Sequence, residues 1–265
     1  MFSSSSYRYK INRWYFRPSD VFIASYPRSG NTWMRLLLSD TIRQLGGYET
    51  EAGGNVIPDV YKVDIEDWYR NPQIDIPFRA IKTHEPYDLI ADYRSVYLFR
   101  NPQDCLCSYY YYSLRSPKFR AENSGIDAFC LGRMEQWNAH IKSYLAGKET
   151  AGDRIFLVSY ESMRESPRKV LKGVCHFLGL EVTDTQCQKA VEHQDFYRLK
   201  KLADREDSCR LGFAEQGGFQ NFFRRGRVNG GDEELSVETI RTLDTHSRPL
   251  YDNIKQLEAD FSRSI

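Results

Sequence analysis

The sequence predicts an α/β fold of three layers (α/β/α), with a central, mostly parallel sheet covered by helices on both faces. Three observations predict it. Four short runs rich in Val, Ile, Phe and Tyr recur along the chain. Segments of helical pattern stand between them. Strands that alternate with helices imply βαβ units, whose crossovers cover both faces of a parallel sheet.

Taken in order, Val21-Phe22-Ile23-Ala24-Ser25 reads as the first strand, followed by a helix over residues 32–45. Residues 46–71 carry Gly46-Gly47, Gly53-Gly54 and Pro58 and read as loop. Residues 78–81 form the second strand and 95–99 the third, with a helix over 104–114. A longer helix spans 126–146, before a fourth strand ending at Val158. Pro167 suits the first turn of a helix over 167–178, and Gly179 suits its end. Weaker helices are expected over 183–193 and 236–259. Between them, residues 205–232 form a glycine-rich loop, and loops that long are usually functional. No linker divides the chain, so residues 1–265 are expected to form one domain.

Composition narrows the function classes. Hydrophobic residues make up 41% and charged residues 28%, an ordinary globular balance. Lys plus Arg number 37 against 36 Asp plus Glu, so the chain lacks the basic excess of a general nucleic-acid binder. Any anion must be held by a local cluster of cations. No run approaches the length of a membrane span, and the N-terminal segment lacks the apolar core of a secretory signal. The six cysteines are scattered, without metal-ligand spacing, which fits reduced thiols and a cytoplasmic location.

The first strand runs into Tyr26-Pro27-Arg28-Ser29-Gly30-Asn31-Thr32-Trp33 and then a helix. A strand, a glycine turn and a helix N-terminus present free backbone N–H groups and a positive dipole end to an anion. Gly30 permits close backbone approach, Ser29 and Thr32 offer hydroxyls, and Arg28 supplies charge. This has the physical content of a phosphate loop, although the Walker pattern is absent. YPRSGNTW resembles the 5′-phosphosulfate-binding loop of the cytosolic sulfotransferases, which reads YPKSGTTW; Arg28 stands where those members carry Lys.

Four further segments match that family in order. Arg100-Asn101-Pro102-Gln103-Asp104 is followed by Ser108, eight residues after Arg100, as in the family's RNPxDxxxS. Lys82-Thr83-His84 matches KTH. Val191-Glu192-His193-Gln194-Asp195-Phe196 is similar to VEHTSF, with Gln194 and Asp195 replacing Thr and Ser. Phe222-Phe223-Arg224-Arg225-Gly226 resembles FxRKG, and Tyr160 matches a tyrosine near the adenine. The family's dimer motif has no counterpart, so no oligomeric state is predicted.

The resemblance implies a P-loop-like sulfotransferase that uses 3′-phosphoadenosine 5′-phosphosulfate (PAPS) and releases adenosine 3′,5′-bisphosphate (PAP). Arg28, Ser29, Gly30, Asn31, Thr32 and Trp33 would hold the 5′ side of the donor. Arg100, Ser108, Phe223, Arg224, Arg225 and Gly226 would hold the 3′-phosphate. Tyr160, Gln194 and Phe196 would meet the adenine, with Trp33 and Phe196 on its two faces. His84 would be the general base, titrating near the ordinary imidazole value, and Arg28 and Lys82 would stabilise charge on the moving group. No metal is implied. The acceptor would be a small molecule with a hydroxyl or amine, and the tyrosine run 109–112 and residues 46–71 are candidates for its pocket. The alternatives weighed are a small-molecule kinase, which would need the missing Walker lysine, and a silent nucleotide-binding module, against which the KTH segment argues.

Overall fold

A computed structural model describes residues 4–48, 55–70, 76–204 and 226–264. Its sheet has four strands, β1 (Val21–Ser25), β2 (Ala80–Thr83), β3 (Arg94–Phe99) and β4 (Ile155–Ser159), in the order β2-β1-β3-β4. Every pairing is parallel, with Val21 opposite both Ala80 and Arg94, and Ser95 opposite Ile155. The helices are α1 (Ser4–Asn12), α2 (Asn31–Leu45), α3 (Ile65–Arg70), α4 (Pro102–Ser113), α5 (Pro117–Glu122) and α6 (Ile126–Ala151). They continue as α7 (Tyr160–Glu165), α8 (Pro167–Leu178), α9 (Asp184–His193), α10 (Phe196–Asp204), α11 (Val237–His246) and α12 (Arg248–Ser264).

Alternation along the strands builds two cores. Val21, Ile23, Val96, Leu98, Phe156 and Val158 face one side, packed with Met34 and Leu37 of α2, Leu171 and Val174 of α8 and Ala190 of α9. Phe22, Ala24, Tyr97, Phe99 and Leu157 face the other, packed with Leu106 of α4, Trp137 and Ile141 of α6, and Tyr251 and Ile254 of α12. Burial on both faces is why the strands read as continuous apolar runs rather than alternating ones. The three-layer architecture predicted by the sequence is present, and the sheet is wholly parallel among the described residues.

Helix ends follow local chemistry. The Asn101 side chain caps α4 by accepting from the N–H groups of Gln103 (3.0 Å) and Asp104 (3.4 Å), with Pro102 at the first turn. Pro167 opens α8 and Gly179, at φ 76°, closes it. Thr183 and Gln186 form a capping box on α9.

The differences from expectation also have causes. The second strand begins at Ala80 rather than Phe78, which brings Lys82 and Thr83 into the sheet. Residues 46–71 are not all loop: α3 lies within them, and Asp59 forms a parallel bridge beside Lys82. The single helix expected over 236–259 is two, α11 and α12. Pro249 cannot donate a backbone hydrogen bond within a continuing helix but is tolerated in the first turn of α12. No described helix is long and apolar enough to cross a membrane. Cys105, Cys107, Cys130, Cys175 and Cys187 are buried free thiols, and Cys209 lies outside the described residues.

From β1 the chain crosses to β2 on one side and then to β3 on the other. That reversal opens a crevice beyond the carboxyl end of β1, where parallel α/β sheets take their ligands.

Candidate active site

The turn leaving β1 enters this crevice. Arg28 has φ 73° and Gly30 φ 97°, two left-handed positions that fold the chain tightly ahead of α2. A Cβ on Gly30 would also stand 2.9 Å from the Tyr160 ring, so both the conformation and the space call for glycine. No side chain caps α2, leaving its first N–H groups to face the crevice. Asn31 is buried and donates to Ile23 O (2.9 Å) and Ser25 Oγ (3.2 Å), so its amide joins helix to strand. Ser29 is fully buried beside the Cys105 thiol (3.5 Å), whereas Thr32 is half-buried in the first turn.

Cations gather on one side of the turn. Arg28 Nε donates to Ser108 Oγ (3.2 Å), and its guanidinium lies 4.9 Å from the centre of the Tyr112 ring. Burial pulls Arg28 down to about 10, with Tyr112 opposing the shift and Arg100 adding to it, so it stays charged at neutral pH. Arg100, at the carboxyl end of β3, lies 4.2 Å over the Tyr160 ring and reaches the Arg28 carbonyl (3.5 Å) and the Asp104 carboxylate (3.5 Å). Its Nε is buried without an acceptor. Two neighbouring guanidiniums, an orphaned Nε and an uncapped helix end fit a phosphorylated anion.

The aromatic candidates lie on the α2 side. Trp33 is buried edge-on to Tyr160 (6.4 Å), and its indole donates to the Gln194 carbonyl (2.9 Å). The Arg164 guanidinium stands over both the Trp33 ring (5.7 Å) and the Phe196 ring (5.5 Å). Gly226, at φ 61°, passes so close to Phe196 that a Cβ would lie 2.6 Å from that ring. The Gln194 side chain is fully buried and donates to Asp40 (2.9 Å). Phe223, Arg224 and Arg225 lie outside the described residues.

His84 follows β2 on the opposite side of the turn. Its Nδ1 lies 2.7 Å from the Ser25 carbonyl. A carbonyl oxygen only accepts, so Nδ1 carries the proton and Nε2 keeps its lone pair. Burial, then the charge on Lys82, lowers the His84 pKa well below the ordinary imidazole value. Tyr61 stacks on the imidazole (6.2 Å, 15°), and its hydroxyl accepts from the His84 backbone N–H (2.9 Å) while donating to Glu85 (2.8 Å). His140 of α6 accepts from Tyr97 (2.9 Å) and donates to the His84 carbonyl (3.2 Å). Lys82 does not point into the turn's cation cluster: its ammonium pairs with Asp59 (3.0 Å) and lies over the Tyr61 ring (5.0 Å). Burial brings Lys82 down to about 8, against the pull of Asp59.

Tyr61, Asp59 and His140 escaped the sequence reading. The first two lie in irregular backbone without a pattern. His140 carried one signal, its place between Trp137, Ile141 and Tyr144 on the buried stripe of α6. Of the tyrosine run, Tyr109 packs edge-on to Tyr26 (6.0 Å) and Tyr112 lies under Arg28, whereas Tyr110 packs on Phe119 and Phe129.

Fold and site together define a parallel α/β protein with a cluster of cations and an uncapped helix end at the sheet's switch point. Residues 18–257 match the sulfotransferase domain model, and the chain belongs to that family; it is a sulfotransferase. It is 27% identical to dog sulfotransferase 1B1 over 211 residues, covering 72% of this chain and 69% of the relative. Cytosolic sulfotransferase 17 of Arabidopsis thaliana is 25% identical over 264 residues, covering 86% and 73%. Among solved structures, mouse sulfotransferase SULT7A1 complexed with PAP is similar in fold, with TM-score 0.72, 22% identity and coverage of 100% and 96%. A retinol dehydratase in complex with retinol and PAP follows, with TM-score 0.66, 19% identity and coverage of 94% and 86%.

Proposed function

We propose that this enzyme moves the sulfuryl group of PAPS, in line and without a covalent enzyme intermediate, to a hydroxyl or amine of a small-molecule acceptor, leaving PAP. The observation that carries the reading is the His84 Nδ1–Ser25 carbonyl hydrogen bond. It fixes the tautomer that leaves Nε2 able to take the acceptor's proton, at the end of the strand that also delivers the phosphate turn. The low pKa keeps that base neutral at neutral pH.

Arg28 and the α2 N–H groups bind the 5′ side of the donor and stabilise charge that develops on the leaving oxygen. Arg100 and Ser108, joined by Arg224 and Arg225, take the 3′-phosphate, and Trp33, Tyr160 and Phe196 make the nucleobase site. The PAP complexes of the two structural neighbours support this choice of donor. Lys82 acts from its place on Asp59, where its charge helps hold His84 unprotonated.

The acceptor enters beside Tyr26, Tyr109 and Tyr112. Retinol in the dehydratase complex supports a hydrophobic alcohol as one acceptor class. The reading treats residues 1–265 as one transferase domain, and the name of the Arabidopsis relative supports a cytoplasmic location. Transfer of labelled sulfate from PAPS to a panel of phenols and hydrophobic alcohols tests it. Sulfation of at least one acceptor class, abolished by adding excess PAP, is the expected outcome; donor binding without any transfer would overturn it.

A further inference from the structure

Helix α1 is fastened to the body by one face and shows the other to solvent. Asn12 is fully buried; its amide donates to the carbonyls of Val60 (2.8 Å) and Val63 (2.9 Å), and its Oδ1 accepts from the Ile65 N–H (3.1 Å). Tyr9 is buried on the same side, against Phe16 and Tyr61. Away from these lie Tyr7, Ile11 and Trp14, spaced i, i+4 and i+7, with the 3-10 turn Arg13–Tyr15 continuing the helix. They are 70%, 37% and 87% exposed, and Tyr15 adds 45%. Single exposed apolar residues are ordinary, but an aligned stripe of them marks an interaction surface.

Its charge says what the partner is. Residues 1–19 contain Arg8, Lys10, Arg13 and Arg17 and no Asp or Glu. Arg17 shares Glu66 at 3.0 Å; Arg8 and Arg13 are exposed beside the stripe. A second copy of the chain meeting this face about a two-fold axis would set these cations against their own kind, which disfavours self-association. An anionic lipid surface satisfies both features at once. Trp and Tyr settle at the boundary of headgroup and acyl chain, and Arg and Lys are drawn to acidic headgroups. We propose that the exposed face of α1 and the turn after it dock this enzyme on anionic phospholipid bilayers. The docking face lies close to the site: Tyr9 packs at a tilt on Tyr61 (6.0 Å, 34°), and Tyr61 stacks on His84. The docking itself stands independently of the role of His84.

Sedimentation of the full chain with vesicles tests it, using phosphatidylcholine alone and phosphatidylcholine mixed with phosphatidylserine. The protein should pellet with the mixed vesicles only, and less so as salt is raised. Arg8→Ala and Arg13→Ala should each weaken binding about fivefold, and Trp14→Ser about tenfold or more. All three side chains are exposed, so the variants should keep the wild-type melting temperature and wild-type transfer to a water-soluble phenol. Equal binding to both vesicle types, no binding to either, an unchanged Trp14→Ser variant, or a Trp14-dependent dimer in place of vesicle binding would each overturn the proposal.

Discussion

The imidazole of His84 is oriented by a backbone carbonyl and kept neutral by its surroundings, and each feature has a measurable consequence. His84→Ala leaves Arg28, Arg100 and Ser108 untouched, so isothermal titration should find PAP affinity nearly unchanged while transfer falls by about 10² to 10⁴. The sequence alone led to a pH–rate rise near the ordinary imidazole value. Burial and Lys82 both lower the His84 pKa, so the acid limb should lie well below that value and the rate should be flat through neutrality. Lys82→Met removes the largest of the charge effects that lower it and should move the limb upward. A limb that stays in place would take Lys82 out of the electrostatics of the base. His140 obeys the same sign. Burial takes it down to about 4, so the unfolded chain binds its proton first as pH falls. Its contribution is complete above the ordinary imidazole value and is lost between there and about pH 4, on the order of 3 kcal/mol. Urea titrations at neutral and acid pH, repeated on His140→Gln, should show the slope shrink in the variant.

Among the elements, edge strand β2 depends most on residues remote in sequence. Asp59 bridges alongside it and pairs with Lys82, both about nine-tenths buried. Burial works against the Asp59 carboxylate, but Lys82 and Arg35 outweigh it and hold its pKa below the ordinary value. Asp59→Asn strands the Lys82 ammonium in a buried setting and should cost about 3 kcal/mol in chemical denaturation. A loss near zero would mean that the pair is effectively solvated. This edge also shows why parts of the site were hidden in the sequence. The turn 26–33, the Arg100–Ser108 spacing and Lys82-Thr83-His84 were legible because each matches a segment of the family it resembles and sits at or just after the end of an apolar strand run. Residues 55–64 have no period, and Tyr61 and Asp59 reach His84 and Lys82 only through tertiary contacts. The break at Ser247 was legible in Pro249, but the apolar spacing through residues 236–259 masked it.

The molecule as a whole is arranged around a single feature, the reversal of strand order at β1. It sets the uncapped N-terminal end of α2, the guanidiniums of Arg28 and Arg100 and the imidazole of His84 around the carboxyl end of one strand. A ligand that binds only the folded chain raises its melting temperature by mass action, so PAP should produce a saturable shift that is smaller in Arg100→Ala at equal concentration. An equal shift in the variant would remove Arg100 from the site. Gly30→Ala, forced into a left-handed conformation against the Tyr160 ring, should lose most of the PAP shift. The central claim is that these cations are placed for a donor phosphorylated on its 3′ oxygen. Calorimetry of the wild-type enzyme with PAP and with AMP tests it most directly. Two charge-assisted contacts to the extra phosphate predict binding of PAP at least about 100-fold tighter than AMP, whereas equal affinity for the two nucleotides would contradict the account.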